Sequence, residues 1–555
     1  MANNKALIGV SSLLLVAAVV GAVCVTINMK SGSSSDAHIA SSNKAVTSIC
    51  QPTDYKQTCE STLNQAAGNI TDPTQLVQIA FNITKQYIAK AMKESQTLQQ
   101  AEKDPQTHDA YMNCKEMLEF SIDDLQRSIE RIGTFDFSQV DYYLNDLKTW
   151  LSALITYEQT CLDGFENTTT NAAEKMKAVL KKSGELSRNA LSMMDGVSQA
   201  LPGLTGGSRK LLSTDGLPSW VSAGQRRLMD SQVPDNNPLG YNIYNLQPNV
   251  VVGPNGQFKT INDALNAIPP ENPNTFVIFV EAGVYDEVVR ITKKMPRVAL
   301  IGAGAAVTKI TGRRNFADGV KTIATATVAV EGEGFFTKDI TYENTAGPEG
   351  HQAVALRINA DKSIIYNCDI VGFQDTLYAH SKRQLYIGCT IIGTVDFIFG
   401  DAEAVFQNCK MIMRMPGPNQ ACMVTAHGRT YKKQTTGFVI QNCEIFGDND
   451  FKATNVKGYL GRPWKELSRT IIMNSNIDNI QPEGWSPWSG TLYLDTLYYA
   501  EFANTGPGAD TTFRVNWPGY QRMFTPEQAA EFTAGRFIAA DAWATSTGVP
   551  FKAGF

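Results

Sequence analysis

Two aspartates share one phase in the later half of the chain. Asp375 lies in Gly372-Phe373-Gln374-Asp375-Thr376-Leu377-Tyr378, and Asp396 lies in Gly393-Thr394-Val395-Asp396-Phe397-Ile398-Phe399-Gly400. Each follows a cysteine, Cys368 or Cys389, by seven residues. Two carboxyls held as neighbours do not readily both ionise, because each raises the proton affinity of the other. One then serves as acid while its partner attacks or acts as base. The aromatic flanks offer stacking faces for sugar rings, and a glutamine amide such as Gln374 can donate to a developing oxyanion. The competing reading is an aspartate ladder that merely caps turns. No G-x-S-x-G elbow occurs, so serine-hydrolase chemistry has no local signature. The five histidines, His38, His108, His351, His380 and His427, include no pair at the spacing of a helical zinc site, and neither metal nor cofactor is expected.

The element that positions these aspartates is a repeat. Asn367-Cys368-Asp369-Ile370-Val371-Gly372, Gly388-Cys389-Thr390-Ile391-Ile392-Gly393, Asn408-Cys409-Lys410-Met411-Ile412-Met413 and Asn442-Cys443-Glu444-Ile445-Phe446-Gly447 follow one pattern, with cysteine intervals of 21, 20 and 34 residues. Steps near 20 residues fit single coils of a parallel β-helix, and the longer step fits a coil with an inserted loop. Equivalent residues then stack about 4.8 Å apart. Asp375 and Asp396 become neighbours on adjacent coils. Having both Gln374 and Asp375 in the site requires a turn, for which Gly372 is the natural residue. Short β-rich runs agree with this fold from Asn249 onward, among them Val250 to Val252, Phe276 to Val280, Val298 to Ile301 and Ala326 to Val330. Short helices are expected near Ile261 to Ile268 and after Thr525, a capping residue.

The rest of the chain reads as an address, a bundle and a joint. At 555 residues, with 43% hydrophobic and 19% charged residues, the composition excludes a wholly disordered chain and a multi-span membrane protein. A net charge of -5 argues against a nucleic-acid binder. Residues 6–29 carry no charge; as a helix they would be about 36 Å long, so an uncleaved signal-anchor is preferred over a cleaved signal peptide, with transient membrane association. Either reading sends the chain through the secretory pathway. Sequons at Asn69, Asn82 and Asn167 agree with that route. Cys50, Cys59, Cys114 and Cys161 suggest two disulfides of open connectivity, and five late cysteines leave at least one free thiol. Helical spacing recurs in Leu76, Ile79, Ala80, Ile83 and Tyr87, in Leu118, Ile122, Leu125, Ile129 and Ile132, and in Trp150, Leu151, Leu154 and Ile155. The expected order is an address over residues 1–30, a helical bundle over 39–200, a linker over 201–240 and the β-helix over 241–555. The linker holds the dibasic pairs Arg209-Lys210 and Arg226-Arg227, read as processing sites.

At these motifs the chain resembles plant pectin methylesterases in their long form, with an inhibitor-like pro-region. Gly283-Val284-Tyr285-Asp286-Glu287, Gln352-Ala353-Val354-Ala355-Leu356-Arg357, the two aspartate segments and Leu460-Gly461-Arg462-Pro463-Trp464 carry the resemblance in the later region. Trp150-Leu151-Ser152-Ala153-Leu154 and Thr160-Cys161-Leu162-Asp163 carry it in the earlier one. The resemblance implies a four-helix bundle followed by a right-handed parallel β-helix that hydrolyses methyl esters of galacturonate in pectin. Asp396 would be the nucleophile and Asp375 the general acid and then base. Gln352 and Gln374 would hold the oxyanion, and Arg462 would keep Asp396 ionised. Thr322, Gln352, Arg462, Trp464, Tyr378 and Phe399 would contact substrate. The family's pairings imply Cys50–Cys59 and Cys114–Cys161, and favour Cys409–Cys443. The pro-region would silence the enzyme until cleavage at a dibasic site releases a monomeric domain to the extracellular cell wall, where separate pectinesterase inhibitor proteins would be partners. His427 departs from the family pattern, which has Gln there, as does Ala303, which stands in place of Asp; His427 is read as a satisfied surface residue. The rival readings are a polygalacturonase-like or lyase β-helix, whose inverting members set carboxyls about 6.5–9.5 Å apart, and a non-catalytic pectin-binding or inhibitor protein.

Overall fold

The computed structural model describes residues 35–133, 140–166, 168, 170–204, 239–270, 272 and 274–555. The apolar segment 6–29, Asn167 and both dibasic pairs lie outside the described residues. The chain divides into two compact units, residues 1–236 and 237–555. No helix among the described residues is long and apolar enough to cross a membrane.

The first unit is helical. Four long helices, Pro73–Ala101, Pro105–Gly133, Val140–Asp163 and Ala172–Leu204, follow two shorter ones, Ser35–Cys50 and Lys56–Ala67. Among the described residues, the four long helices pack on one another and the two shorter ones precede them. Local chemistry sets an entry point: Asp72 accepts a hydrogen bond from the Gln75 N–H at 2.8 Å, with Pro73 at the first helical position. Buried faces of adjoining helices include Leu76, Phe81 and Ile88, then Leu118 and Leu125, then Trp150, Leu151, Leu154 and Ile155. Cys50 is bonded to Cys59 and Cys114 to Cys161, so each disulfide crosses between two helices. Asn69 is exposed in a turn, whereas Asn82 lies half-buried within a helix and donates to the Gln78 carbonyl at 3.0 Å.

The second unit is a parallel β-helix. Three sheets of eleven, seven and eight strands run along it, and each coil contributes to them in turn. Among the described residues all the strand pairings are parallel, for example Ile391 opposite both Ile370 and Met411. Such sheets bury continuous apolar runs. The interior stacks Ile370, Ile391, Met411 and Ile445 on successive coils, beside the ring pair Tyr386–Phe406 at 4.5 Å. Outward residues of the eleven-stranded sheet, Leu385, Val405 and Val439 among them, are covered by Ile538 and Trp543 of the C-terminal helices. Thr525 and Gln528 form a reciprocal capping box at the first of these helices.

The repeat motif has a clear structural role. Asn367, Gly388, Asn408 and Asn442 turn the corner before the eight-stranded sheet, with φ of 52, 61, 54 and 56°. Only glycine, asparagine and aspartate enter this left-handed region at low cost. The cysteines that follow point into the core and stack. Here one expectation is corrected: Cys409 and Cys443 are free thiols, as are Cys368, Cys389 and Cys422, and all five are buried. The Cys443 sulfur instead accepts the Cys409 backbone N–H at 3.3 Å. Neighbouring rungs bring several thiols together without selecting one pair, and burial pushes Cys409 well above the usual thiol range.

Candidate active site

The seven-stranded sheet carries the two aspartates. Its strands Leu377–Ala379 and Ile398–Gly400 pair with Leu377 opposite Ile398 and Tyr378 opposite Phe399. Asp375 and Asp396 each precede these paired residues by the same step, so they face one another across one rung, about 4.8 Å of strand spacing. The Asp375 N–H donates to the Val395 carbonyl at 3.0 Å, tying the two turns together. The turn is made by the aspartates themselves, with φ of 62° at Asp375 and 51° at Asp396. Gly372 serves another purpose: a Cβ there would meet the Thr376 hydroxyl at 2.8 Å, and at Gly393 the same hydroxyl lies at 2.6 Å. The glycines make room for the turn, while the aspartates take its left-handed conformation, a cost concentrated at functional positions.

Electrostatics separates the pair. Arg462 grips Asp396 in a fork, with Nε to Oδ1 at 2.8 Å and Nη2 to Oδ2 at 2.7 Å. The strand Gly458–Gly461 delivers this arginine, whose N–H is anchored on the Thr425 carbonyl at 3.0 Å. Asp375 and Asp396 are 7% and 5% exposed. Burial, then the charge of Asp396, holds the Asp375 carboxyl well above the usual carboxylate range, with Arg462 opposing. Burial also raises Asp396, but the charge and hydrogen bonds of Arg462 pull directly against it. Of the two, Asp375 is the carboxyl whose surroundings favour the protonated form, and Asp396 is the one whose anion faces a cation.

Gln352 and Gln374 stand half-buried beside the aspartates on neighbouring coils, linked through the Ala353 N–H to the Gln374 carbonyl at 3.2 Å. Among the described residues their side-chain amides have no hydrogen-bond partner, which leaves their N–H groups free to donate. The outer face of the same sheet holds a small apolar floor of Ala329, Val354, Tyr378, Phe399 and Ala426, with Ile323 and Trp464 packed on it. The Tyr378 and Phe399 rings stack at 4.2 Å, and Trp464 meets Phe399 edge-on at 5.9 Å. Tyr378 and Phe399 are each only 4% exposed, so they form the base of the groove, while Trp464 is more open. Thr322 is half-buried at the start of a 3-10 turn, next to Ile323 of that floor.

Sequence reasoning missed Trp488, whose ring lies 4.4 Å beneath the Arg462 guanidinium. Its segment carries no repeat signature to flag it. His427 is a correction of another kind: it is fully buried rather than at the surface.

Two family models match the chain. Pectinesterase covers residues 249–541, and Plant invertase/pectin methylesterase inhibitor covers residues 44–193. The chain belongs to the pectinesterase family. Among its relatives is pectinesterase/pectinesterase inhibitor 28 of Arabidopsis thaliana, 46% identical over 99% of this chain and 74% of that protein. A pectinesterase of Petunia integrifolia is 51% identical over 68% of this chain and 99% of its own length. The solved structure of pectin methylesterase from carrot matches with a TM-score of 0.55 at 47% identity, covering 56% of this chain and 99% of that one. Within this pectinesterase, the two matched regions fall in the two separate compact units, the inhibitor-like one first.

Proposed function

We propose that the β-helix unit hydrolyses methyl esters of galacturonate in pectin, with Asp396 as nucleophile and Asp375 as general acid and then base. What supports this reading is the unequal pair: an Asp375 whose burial and anionic neighbour favour its protonated form, stacked beside an Asp396 held in the fork of Arg462. An Asp396 oxygen attacks the ester carbonyl carbon. Gln352 and Gln374 donate to the oxyanion that forms. As the bond to the methoxy oxygen breaks, Asp375 gives that oxygen its proton and methanol leaves. The resulting carboxylate of Asp375 then takes a proton from water. That water cleaves the acyl–Asp396 bond, restoring Asp396 as a carboxylate and Asp375 as an acid and freeing galacturonic acid, which gives the second proton of that water to solvent and leaves as galacturonate. No cofactor enters the balance.

Trp464, half-buried and the most open ring of the apolar floor, supplies the aromatic contact for the sugar chain, with Thr322, Tyr378 and Phe399 shaping the groove around it. One-rung stacking of the carboxyls is shorter than the spacing of inverting glycosidases, which favours ester cleavage over chain cleavage. The inhibitor-like unit is read as an autoinhibitory pro-region, removed at Arg209-Lys210 or Arg226-Arg227. Residues 6–29 would hold the precursor at the membrane, Asn69 is the better placed sequon for a glycan, and the released monomer would act in the cell wall, open to separate inhibitor proteins. Methanol release from esterified pectin, compared between the full chain and a chain beginning at Met229, tests both parts. Pectin shortening without methanol would overturn the esterase reading; equal activity of both chains would overturn autoinhibition.

A further inference from the structure

His427 is a buried titratable residue that the proposed chemistry does not use. It ends the strand Cys422–His427 beneath the arm that runs from Arg462 to Ser468. Its Nδ1 accepts two backbone N–H groups, from Arg469 at 3.2 Å and from Arg429 at 3.4 Å. A nitrogen that accepts carries no proton, so the ring is neutral with its hydrogen on Nε2. That nitrogen faces Asp401 Oδ1 at 3.7 Å, while the ring meets Phe438 edge-on at 4.6 Å. Burial, then the charges of Arg469 and Arg429, holds the imidazole well below its ordinary range, which keeps the acceptor available.

The arm is tied to this strand and to the residues that follow it. At its start the Arg462 N–H binds the Thr425 carbonyl at 3.0 Å, and further along the Leu467 N–H binds the Arg429 carbonyl at 3.0 Å. Trp464 lies against Gly428, where a Cβ would meet its ring at 2.8 Å. Just beyond the arm, the Arg469 N–H ends on the His427 ring, and the Arg469 guanidinium donates to the Thr435 carbonyl at 2.6 Å. Replacing the ring by an apolar side chain leaves two N–H groups without an acceptor, one of them at the hinge of the arm.

We propose that His427 is a positioning residue: a fixed acceptor that fastens the arm carrying Arg462 and Trp464 against the groove. The proposal rests on the esterase reading of that groove. Methanol release by the unaltered protein tests the reading itself, and His427→Leu and His427→Gln, compared with it under the same conditions, test the proposal. The leucine variant is expected to raise KM roughly tenfold and to move both limbs of the pH profile to higher pH, as the hold of Arg462 on the two aspartates loosens. Glutamine, whose carbonyl can accept and whose amide can donate, is expected to restore both. Unchanged KM and pH profile in the leucine variant with only a lower Tm, or equal impairment of both variants, would overturn the proposal. If the leucine variant does not fold, 15N NMR of the histidine rings decides: an unprotonated Nδ1 and protonated Nε2 at pH 6 supports it, and the opposite tautomer or an imidazolium overturns it.

Discussion

Arg462→Met removes the fork on Asp396 while keeping most of the apolar stem. Two bonds of 2.8 and 2.7 Å disappear, and Asp396, with a side chain 7% exposed, is left without its cation. Unit charges about 4 Å apart at an effective dielectric near 20 attract by about 4 kcal/mol. Arg462 is 21% exposed, so solvent reduces the usable part to about 3 kcal/mol, or roughly a hundredfold in kcat/KM. The pH profile carries the sharper signature. Arg462 lowers the proton affinity of both aspartates, so its loss raises both. Asp396 must be ionised to attack, and Asp375 protonated to release methanol. The acid and alkaline limbs therefore both move to higher pH, as properties of the coupled pair. Arg462→Lys keeps a point charge without the fork and should fall between the two. Initial rates of methanol release across pH, with Tm recorded for each variant, measure this. A loss of rate that is uniform across pH, with neither limb displaced, would refute the electrostatic role.

Asp375→Asn keeps a side chain that tolerates the left-handed turn and removes the titration. Because the folded carboxyl binds its proton more tightly than the unfolded one, Asp375 destabilises the fold progressively as pH rises above about 3.9. The variant should gain Tm over wild type by a few degrees at pH 7 and by less at pH 4; an equal difference at both pH values would contradict this. Gly428→Ala places a methyl 2.8 Å from the Trp464 ring and should raise KM several-fold with a smaller change in kcat, read with Trp fluorescence as a check on ring displacement. Thiol titration of the unreduced, denatured β-helix unit should count five thiols, since all five of its cysteines are free; a count of three would restore a disulfide.

The repeat made the site legible, because a coil near 20 residues fixes the phase of Asp375 and Asp396 before any contact is known. Arg462 and Gln352 lie far from the repeat motif, and only the family resemblance brought them to the aspartates. Left-handed φ at the aspartates escaped because glycine was the obvious turn former, yet Gly372 was needed for space. In the bundle, apolar spacing placed Ile122 and Ile129 inward, whereas the buried stripe runs through Ser121, Asp124, Leu125 and Ser128. Asp124 accepts from the Tyr157 hydroxyl at 3.3 Å, and the Ser128 hydroxyl donates to the Asp124 backbone carbonyl at 2.7 Å. A hydrophobic count cannot see a helix face that is buried through hydrogen bonds. His427 was misplaced for the same reason: its burial is secured by backbone donors, one from Arg429 two residues on and one from Arg469 at the start of a strand 42 residues away.

Two stacked carboxyls divide the proposed labour, one attacking and one moving the proton. This division is tested most directly by methanol release and chain length measured together on esterified pectin, for wild type, Asp396→Asn and Asp375→Asn in a chain beginning at Met229. Methanol without shortening is expected from wild type, and a loss of at least about a thousandfold in each folded variant. Substantial methanol release by either variant would contradict this division.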